Sequence, residues 1–374
     1  MPGDLHNHTT YSDGSVPVAR LPLMAARVGL DAMAISDHDT LRSVQYAYDH
    51  PVQDGVKLIP ATELTGYDYE RQHRVHLLAY WPDPESEALR RHCDIMRQRR
   101  NECCLQSARE LEAIFPQFRT EQALEYAQDS GVLFKSGIMQ ALQQLGLCDG
   151  IYTGLYHELF GWEPRGKCLH SPAYPPVREV LATAKAAGAV VVFAHPTVYK
   201  SMPLLRELVA EGAIDGIEVH HPRNSPEDMA ECAELCKKHD LIVTGGSDFH
   251  GANHGKPHPV GACVTADDQI AQHVQQQLAL QVTLGQRLLA VGHAEAGLRD
   301  RHREERFLVG QRAGLRRDVP LDLMRGTGAV QAVALAGVHS LRQRDLARDA
   351  QHHIGRRVEP PGAAVEHLGR QLGN

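Results

Sequence analysis

Two rhythms of apolar positions alternate along the first 270 or so residues. Short apolar runs, about four to eight residues long, predict strands, and apolar positions three and four apart predict helices. Val18, Leu21, Met24, Ala25 and Val28 keep helical spacing, so 16–29 reads as a helix that Gly29 stops. A strand over Leu30–Ser36 follows, ending in Asp37-His38-Asp39, and Thr40 is the expected cap of a helix reaching Asp49. Strands over 56–64 and 75–81 come next, one carrying Glu63 at its end and the other beginning near His76. From Pro82 to Ser171 the rhythm is helical, with helices expected over 85–115, 121–128, 136–145 and 155–160. Strand and helix alternate again from Val177: helix 177–187, strand 189–194, helix 204–211, strand 214–219, a helix capped by Ser225 and running to His239, and strand 241–246.

The run 189–194 is apolar without alternation, as in a strand buried on both faces. Polar side chains gather just after the strands, the mark of a parallel α/β architecture. A barrel collects its active residues at the C-terminal ends of its strands, whereas an open doubly wound sheet uses one switch point. Candidates after nearly every strand favour the barrel. Residues 1–81 and 172–268 then form the barrel, and 82–171 an inserted helical cap subdomain.

The last hundred residues change character. No lysine follows Lys256, no cysteine follows Cys263, and Arg, Gly and Ala dominate. Native-like sequence is expected to end near 268–275, leaving 275–374 as an atypical Arg/Gly/Ala-rich tail.

Composition narrows the function. A net charge of −7 argues against general nucleic-acid binding, and 43% hydrophobic residues can fill a sizeable core. The 23 histidines make a multi-histidine site plausible. Eight cysteines without a CxxC pair read as reduced thiols. With neither a signal-peptide pattern nor a membrane-length apolar run, a cytoplasmic location is expected.

The candidate chemistry starts at Asp4-Leu-His-Asn-His-Thr. His6 and His8 stand two apart, which on a strand turns both to one face. Asp13 follows in a Ser-Asp-Gly turn, and Asp248 and His250 repeat the i, i+2 spacing. With Asp37, His38, Glu63, His76 and His195 they make a set of ten. Each has an ordinary reading; Asp37 and Asp39, for example, suit helix caps. Together they would be costly to desolvate unless metal ions compensated them.

These stretches, with Ser36-Asp-His-Asp, Ala61-Thr-Glu, Ala194-His-Pro and Ser247-Asp-Phe-His, resemble the PHP (polymerase and histidinol phosphatase) family of metal-dependent phosphoesterases. The resemblance covers about residues 1–268 and implies a distorted (β/α)7 barrel with three divalent metals, Mn²⁺, Fe²⁺ or Zn²⁺. It implies one metal on His6, His8, Glu63 and Asp248, a second on Glu63, His76 and His195, and a third on Asp13, His38 and His250. The implied activity is hydrolysis of a small phosphorylated metabolite or nucleotide through a metal-activated hydroxide. Catalytic candidates beside the metals are Asp37, His221 and Arg223, and Lys135, Lys200 and Arg223 are candidate substrate cations. Nucleotide-acting members similar to this chain often carry an Arg-x-His element where Lys135-Ser-Gly137 stands. The insert looks closer to a branch with cyclic-phosphate diesterases of phosphoribosyl compounds. The alternatives are that diesterase, a nucleoside 3',5'-bisphosphate phosphatase or 5'-3' exoribonuclease, and a metal-binding module without turnover. The partner expected is a small phosphorylated substrate (nucleotide, phosphosugar or short RNA), with no membrane and no stable duplex nucleic acid.

Overall fold

The computed structural model describes residues 2–272. In chain order the elements are β1 (Gly3–Asp4), α1 (Leu21–Arg27), β2 (Ala32–Ile35), α2 (Arg42–Asp49), β3 (Val52–Gln53), β4 (Val56–Asp68) and β5 (His73–Tyr80). Four helices follow: α3 (Glu87–Ile114), α4 (Thr120–Leu124), α5 (Lys135–Gln144) and α6 (Gly154–Phe160). The chain then runs α7 (Val177–Ala186), β6 (Val190–Phe193), α8 (Met202–Ala210), β7 (Gly216–His220), α9 (Pro226–His239) and β8 (Ile242–Gly245). The sheet order is β1-β2-β4-β5-β6-β7-β8, with β3 paired to β4 off this path. This is a nearly closed, barrel-shaped α/β fold.

Closure comes from the two ends of the path. Leu5 N–H donates to Gly245 O at 3.2 Å, and Gly3 and Thr265 exchange backbone bonds at 3.0 and 2.7 Å. Buried Asp4 accepts from the Ser247 hydroxyl at 2.5 Å and its N–H at 3.0 Å.

Besides the short β3, which pairs antiparallel with β4, one strand on the main path departs from the all-parallel expectation. β5 is antiparallel to both β4 and β6. The four residues joining β4 to β5 are too few for a crossover, so they fold back as a hairpin. β5 therefore begins, rather than ends, at the rim where the parallel strands finish.

Leu5, Ala34, Ala61, Leu78, Tyr80, Val192 and Ile242 share one buried cluster at the sheet interior. All four residues of β6 are buried, as its unbroken apolar run requires. Helices α3 to α6 carry a separate core around Leu111, Phe118, Leu142 and Phe160. Capping follows the sequence at Ser225, whose hydroxyl accepts Asp228 N–H at 3.1 Å. It fails at Thr40: α2 is capped at Leu41, while the Thr40 hydroxyl accepts Arg42 N–H at 3.2 Å. The expected tail, 275–374, lies outside the described residues.

Candidate metal centre

β1 ends at Asp4, so His6 and His8 lie on extended chain beyond it rather than on a strand. Pairing with the β8 loop replaces the missing sheet. Asp248 N–H donates to His6 O at 2.9 Å, and His8 N–H to Phe249 O at 2.8 Å. Asn7 turns away between the histidines and donates to Asp4 O and Ala34 O, both at 3.1 Å, fastening this segment to β2. Gly246 leaves room for the approach: a Cβ there would lie 2.2 Å from His6 Cβ.

Three strand ends turn sharply at the site. Asp39, His195 and Asp248 have φ of 47°, 26° and 52°, left-handed conformations that cost a non-glycine residue energy. Each redirects the chain just past β2, β6 or β8. Such strain concentrates where function demands a geometry.

His195 and Asp248 converge with the other candidate ligands, whereas Asp39 turns to α3. His6 Nε2 and His8 Nε2 stand 3.1 Å apart, and each lies 3.3 Å from a Glu63 oxygen. Asp248 Oδ1 is 3.5 Å from His6 Nε2 and 3.3 Å from His8 Nε2. Glu63 Oε1 meets His76 Nδ1 and His195 Nε2, both at 2.9 Å. On the other side His250 Nε2 is 3.4 Å and His38 Nε2 4.0 Å from Asp13. Ligand atoms within metal-sharing reach of one another form overlapping groups: His8, Asp13, His38 and His250; His6, His8 and Asp248; His38, Glu63 and His76; His6, His195 and Glu218.

The donor set fits divalent metals. Glu63 Oε2 and His38 Nδ1 are 2.9 Å apart and fully buried, yet form no directed hydrogen bond. His195 Nδ1 and His221 Nε2 are likewise buried without hydrogen-bond partners. Polar atoms that converge without bonding one another are arranged for a guest. Imidazole nitrogens with carboxylate oxygens suit manganese, iron or zinc.

Electrostatics agree. Burial would raise the Glu63 and Asp248 carboxyls, but the surrounding imidazoles hold both well below the usual range. Burial likewise opposes a proton on His8, yet hydrogen bonding to Asp248 and Glu63 lifts it to about 10. A pocket negative enough to draw protons onto its histidines draws divalent cations for the same reason. His76 goes the other way, pushed down to about 3 by burial against the pull of Glu63, so its ring is a neutral donor at pH 7.

Other expected site residues are placed differently. Asp37 does not stand among the converging ligand atoms. Its oxygens accept from Thr9 N–H at 2.7 Å, the Thr9 hydroxyl at 2.7 Å and the Ser12 hydroxyl at 2.6 Å. These contacts secure the turn presenting His8 and Asp13. His221 is in the cluster: its Nδ1 accepts Arg223 N–H at 3.1 Å and its Nε2 lies 3.4 Å from Asp248. The Arg223 and Lys200 side chains are exposed. Lys135 is half-buried at the start of α5, its amine 5.7 Å from the Phe160 ring. A Cβ at Gly137 would face Tyr126, Leu133 and Ala123, the packing of the helices themselves.

Glu218 is a site residue that the sequence pattern did not single out. It is fully buried on β7, with Oε1 2.9 Å from His6 Nδ1 and Oε2 accepting His195 N–H at 2.9 Å. The available signal was one carboxylate in an otherwise apolar Gly-Ile-Glu-Val strand.

Comparison with known proteins places this geometry. The PHP domain profile matches residues 4–125. The phosphoribosyl 1,2-cyclic phosphate 1,2-diphosphodiesterase of Eggerthella lenta is 33% identical over 255 residues, covering 68% of this chain and 96% of that protein. The 5'-3' exoribonuclease Rnm of Escherichia coli is 27% identical over 259 residues, covering 66% of this chain and 84% of that protein. A solved structure from Bifidobacterium adolescentis, assigned as a metal-dependent phosphoesterase, matches with a TM-score of 0.66 at 30% identity, over 73% of this chain and 96% of its own. Shared sequence over nearly the whole of such relatives, on a barrel whose mouth gathers histidines and carboxylates, makes this chain a member of the PHP family of metal-dependent phosphoesterases.

Proposed function

We propose that the chain is a three-metal phosphoesterase acting on a cyclic phosphodiester of a phosphoribosyl compound. The observation that carries it is the convergence of His6, His8, Glu63, His76, His195 and Asp248 within contact distance, with Asp13, His38 and His250 beside them. Glu63 touches both His6 and His195, so its two oxygens would serve both of the ions these histidines would hold. His6, His8, Glu63 and Asp248 would hold one ion, Glu63, His76 and His195 a second, and Asp13, His38 and His250 a third. His8 also falls with the third group. Identity to the Eggerthella diphosphodiesterase, and Lys135-Ser-Gly137 in place of Arg-x-His, favour the cyclic diester over a nucleotide.

Bound divalent metals supply Lewis acidity and a water of lowered pKa. The protein's own residues do the rest. His221 is kept in one tautomer by Arg223 N–H on its Nδ1, so its Nε2 carries the hydrogen and points into the centre. That N–H is placed to donate to a phosphate oxygen or to the leaving oxygen. Lys135, on the helical insert, is the candidate cation there for a substrate phosphate oxygen. Exposed Arg223 and Lys200 stand outside the ligand cluster and serve to steer an anion inward. The insert, 82–171, acts as the cap that selects substrate.

No helix among the described residues is long and apolar enough to cross a membrane. All eight cysteines are unpaired, which supports a cytoplasmic location.

The test is a screen of the Mn²⁺-loaded protein against cyclic phosphates, nucleoside bisphosphates, phosphomonoesters and short RNA. Preference for the cyclic diester supports the reading. Turnover of nucleoside bisphosphates or RNA alone replaces its substrate, and bound metal with no turnover of any phosphoester overturns it.

A further inference from the structure

The helical insert meets the barrel mouth at two polar joints. Among the described residues its own apolar core, from Cys104 to Cys168, contains no barrel residue. Leu89, at the start of α3, belongs to the barrel core instead. Farther along the insert, hydrogen bonds tie it to the barrel.

The first joint is Asn253, buried in the loop after β8. Its side-chain oxygen accepts from Gln140 Nε2 of α5 at 2.7 Å. Its side-chain nitrogen donates to Asp13 O at 2.9 Å, and its N–H donates to His250 O at 3.2 Å. One residue thus connects α5 to the backbones of two candidate ligands of the third ion. Gly255 keeps this loop close to the insert: a Cβ there would lie 3.3 Å from Tyr152 Cβ.

The second joint is Asp39, next in sequence to His38, the remaining ligand of that group. Its N–H donates to Glu63 O at 2.9 Å, and its carboxylate meets His92 and Arg100 of α3 at 3.2 and 2.5 Å. The left-handed φ of 47° at Asp39 lets His38 turn to the cluster and the Asp39 carboxylate to the insert.

The joints use different helices and different loops, yet both end beside the same three ligands, Asp13, His38 and His250. Ligands of the other two ions are held from within the barrel. Glu218 fastens His6 and His195, and His6 O accepts Asp248 N–H. We propose that the insert sets the geometry of the third metal site, with Asn253 and Asp39 as the positioning residues that carry its seating to Asp13, His250 and His38. The inference rests on the three-metal reading and adds that one ion, unlike the other two, is coupled to the cap. A ligand loses metal affinity when its outer hydrogen bonds go. Coupling is reciprocal, so an ion that binds better with the cap seated holds the cap by the same factor.

The experiment titrates Mn²⁺ into the metal-stripped full chain, counts bound equivalents, and follows limited proteolysis of the insert in parallel. Gln140→Ala removes one joint without touching a ligand. It is expected to weaken one of three equivalents about tenfold and spare the other two, and Asn253→Ala to weaken the same one by about 10–100-fold. In the wild type, filling that equivalent is expected to slow cleavage of the insert, and in Gln140→Ala the slowing shrinks by the factor lost in affinity. With Asp13→Asn already present, Gln140→Ala is expected to add nothing, since both act on one site. If Gln140→Ala does not fold, His92→Ala at the second joint, which leaves Arg100 to neutralise Asp39, is expected to weaken the same equivalent. All three equivalents unchanged in these variants, or all three weakened alike, would overturn the coupling. A wild type that takes up fewer than three equivalents would overturn the three-metal reading, and the coupling with it.

Discussion

Glu218 Oε1 lies 2.9 Å from His6 Nδ1, and both side chains are buried. With that nitrogen engaged, the proton resides on Nδ1 and Nε2 is free to face His8, Glu63 and Asp248. A carboxylate behind a histidine ligand fixes its tautomer and raises its basicity. Glu218→Gln keeps the size but loses the charge. We expect metal affinity to fall by about 10–100-fold with the fold intact, measured by metal titration against circular dichroism.

His195 reaches Glu63 Oε1 with its Nε2 at 2.9 Å. His195→Ala should release one equivalent of metal and most activity. Elemental analysis of the dialysed variant checks this, and wild-type metal content with wild-type activity would break the assignment.

Asp39 ties the insert to the barrel. Its carboxylate meets Arg100 and His92 of α3, and accepts Thr65 N–H of β4 at 2.8 Å. Burial would raise its pKa, but Arg100 and His92 hold it well below the usual carboxylate value. A depressed carboxyl stabilises the fold above its unfolded pKa, and that stability drains away as pH falls toward the folded value. Asp39→Ala strands Arg100 unpaired, so a loss of about 3 kcal/mol is expected, read by urea unfolding at pH 7.

Lys135 brings a pH dependence on the alkaline side. Its amine is pushed down to about 8, burial being the largest cause. Its folded pKa lies below the unfolded one, so the charged amine costs stability below about pH 8, and the cost fades as pH rises past it. Substrate binding runs the opposite way, because the charge that holds phosphate is lost. KM should rise between pH 7.5 and 9.5 (on the order of tenfold, one charge-assisted bond), and Lys135→Arg should flatten the rise.

Gly246 has no room for a side chain against His6. Gly246→Ala should cost about 1–3 kcal/mol through overpacking and displace His6. Lowered thermal stability together with weakened metal binding is the expected pair of results; wild-type values for both would show that the chain relaxes there freely.

Local rules determined much of this protein. Helical spacing located α3, α5, α7 and α9 to within a few residues, because each buries a repeating apolar face. The unbroken run 189–194 announced a strand buried on both sides. The order of His-x-His, Asp-His-Asp, Glu63, His76, His195 and Asp-x-His was enough for the family, since few functions need those groups after successive strands. Tertiary structure decided the remainder, because it depends on partners distant in sequence. The reversal of β5 put the start of that strand at the rim where the parallel strands finish, and no local pattern marks a strand's direction within a sheet. Asp37 read as a catalytic candidate or a helix cap, and only the fold showed Thr9 and Ser12 donating to its oxygens. Glu218 looked like one polar residue in an apolar strand until it met His6, 212 residues away in sequence. Sequence determined which chemistry the chain carries; only the fold decided which carboxylates enter the histidine cluster and which stand behind it, because that depends on partners far apart in the chain.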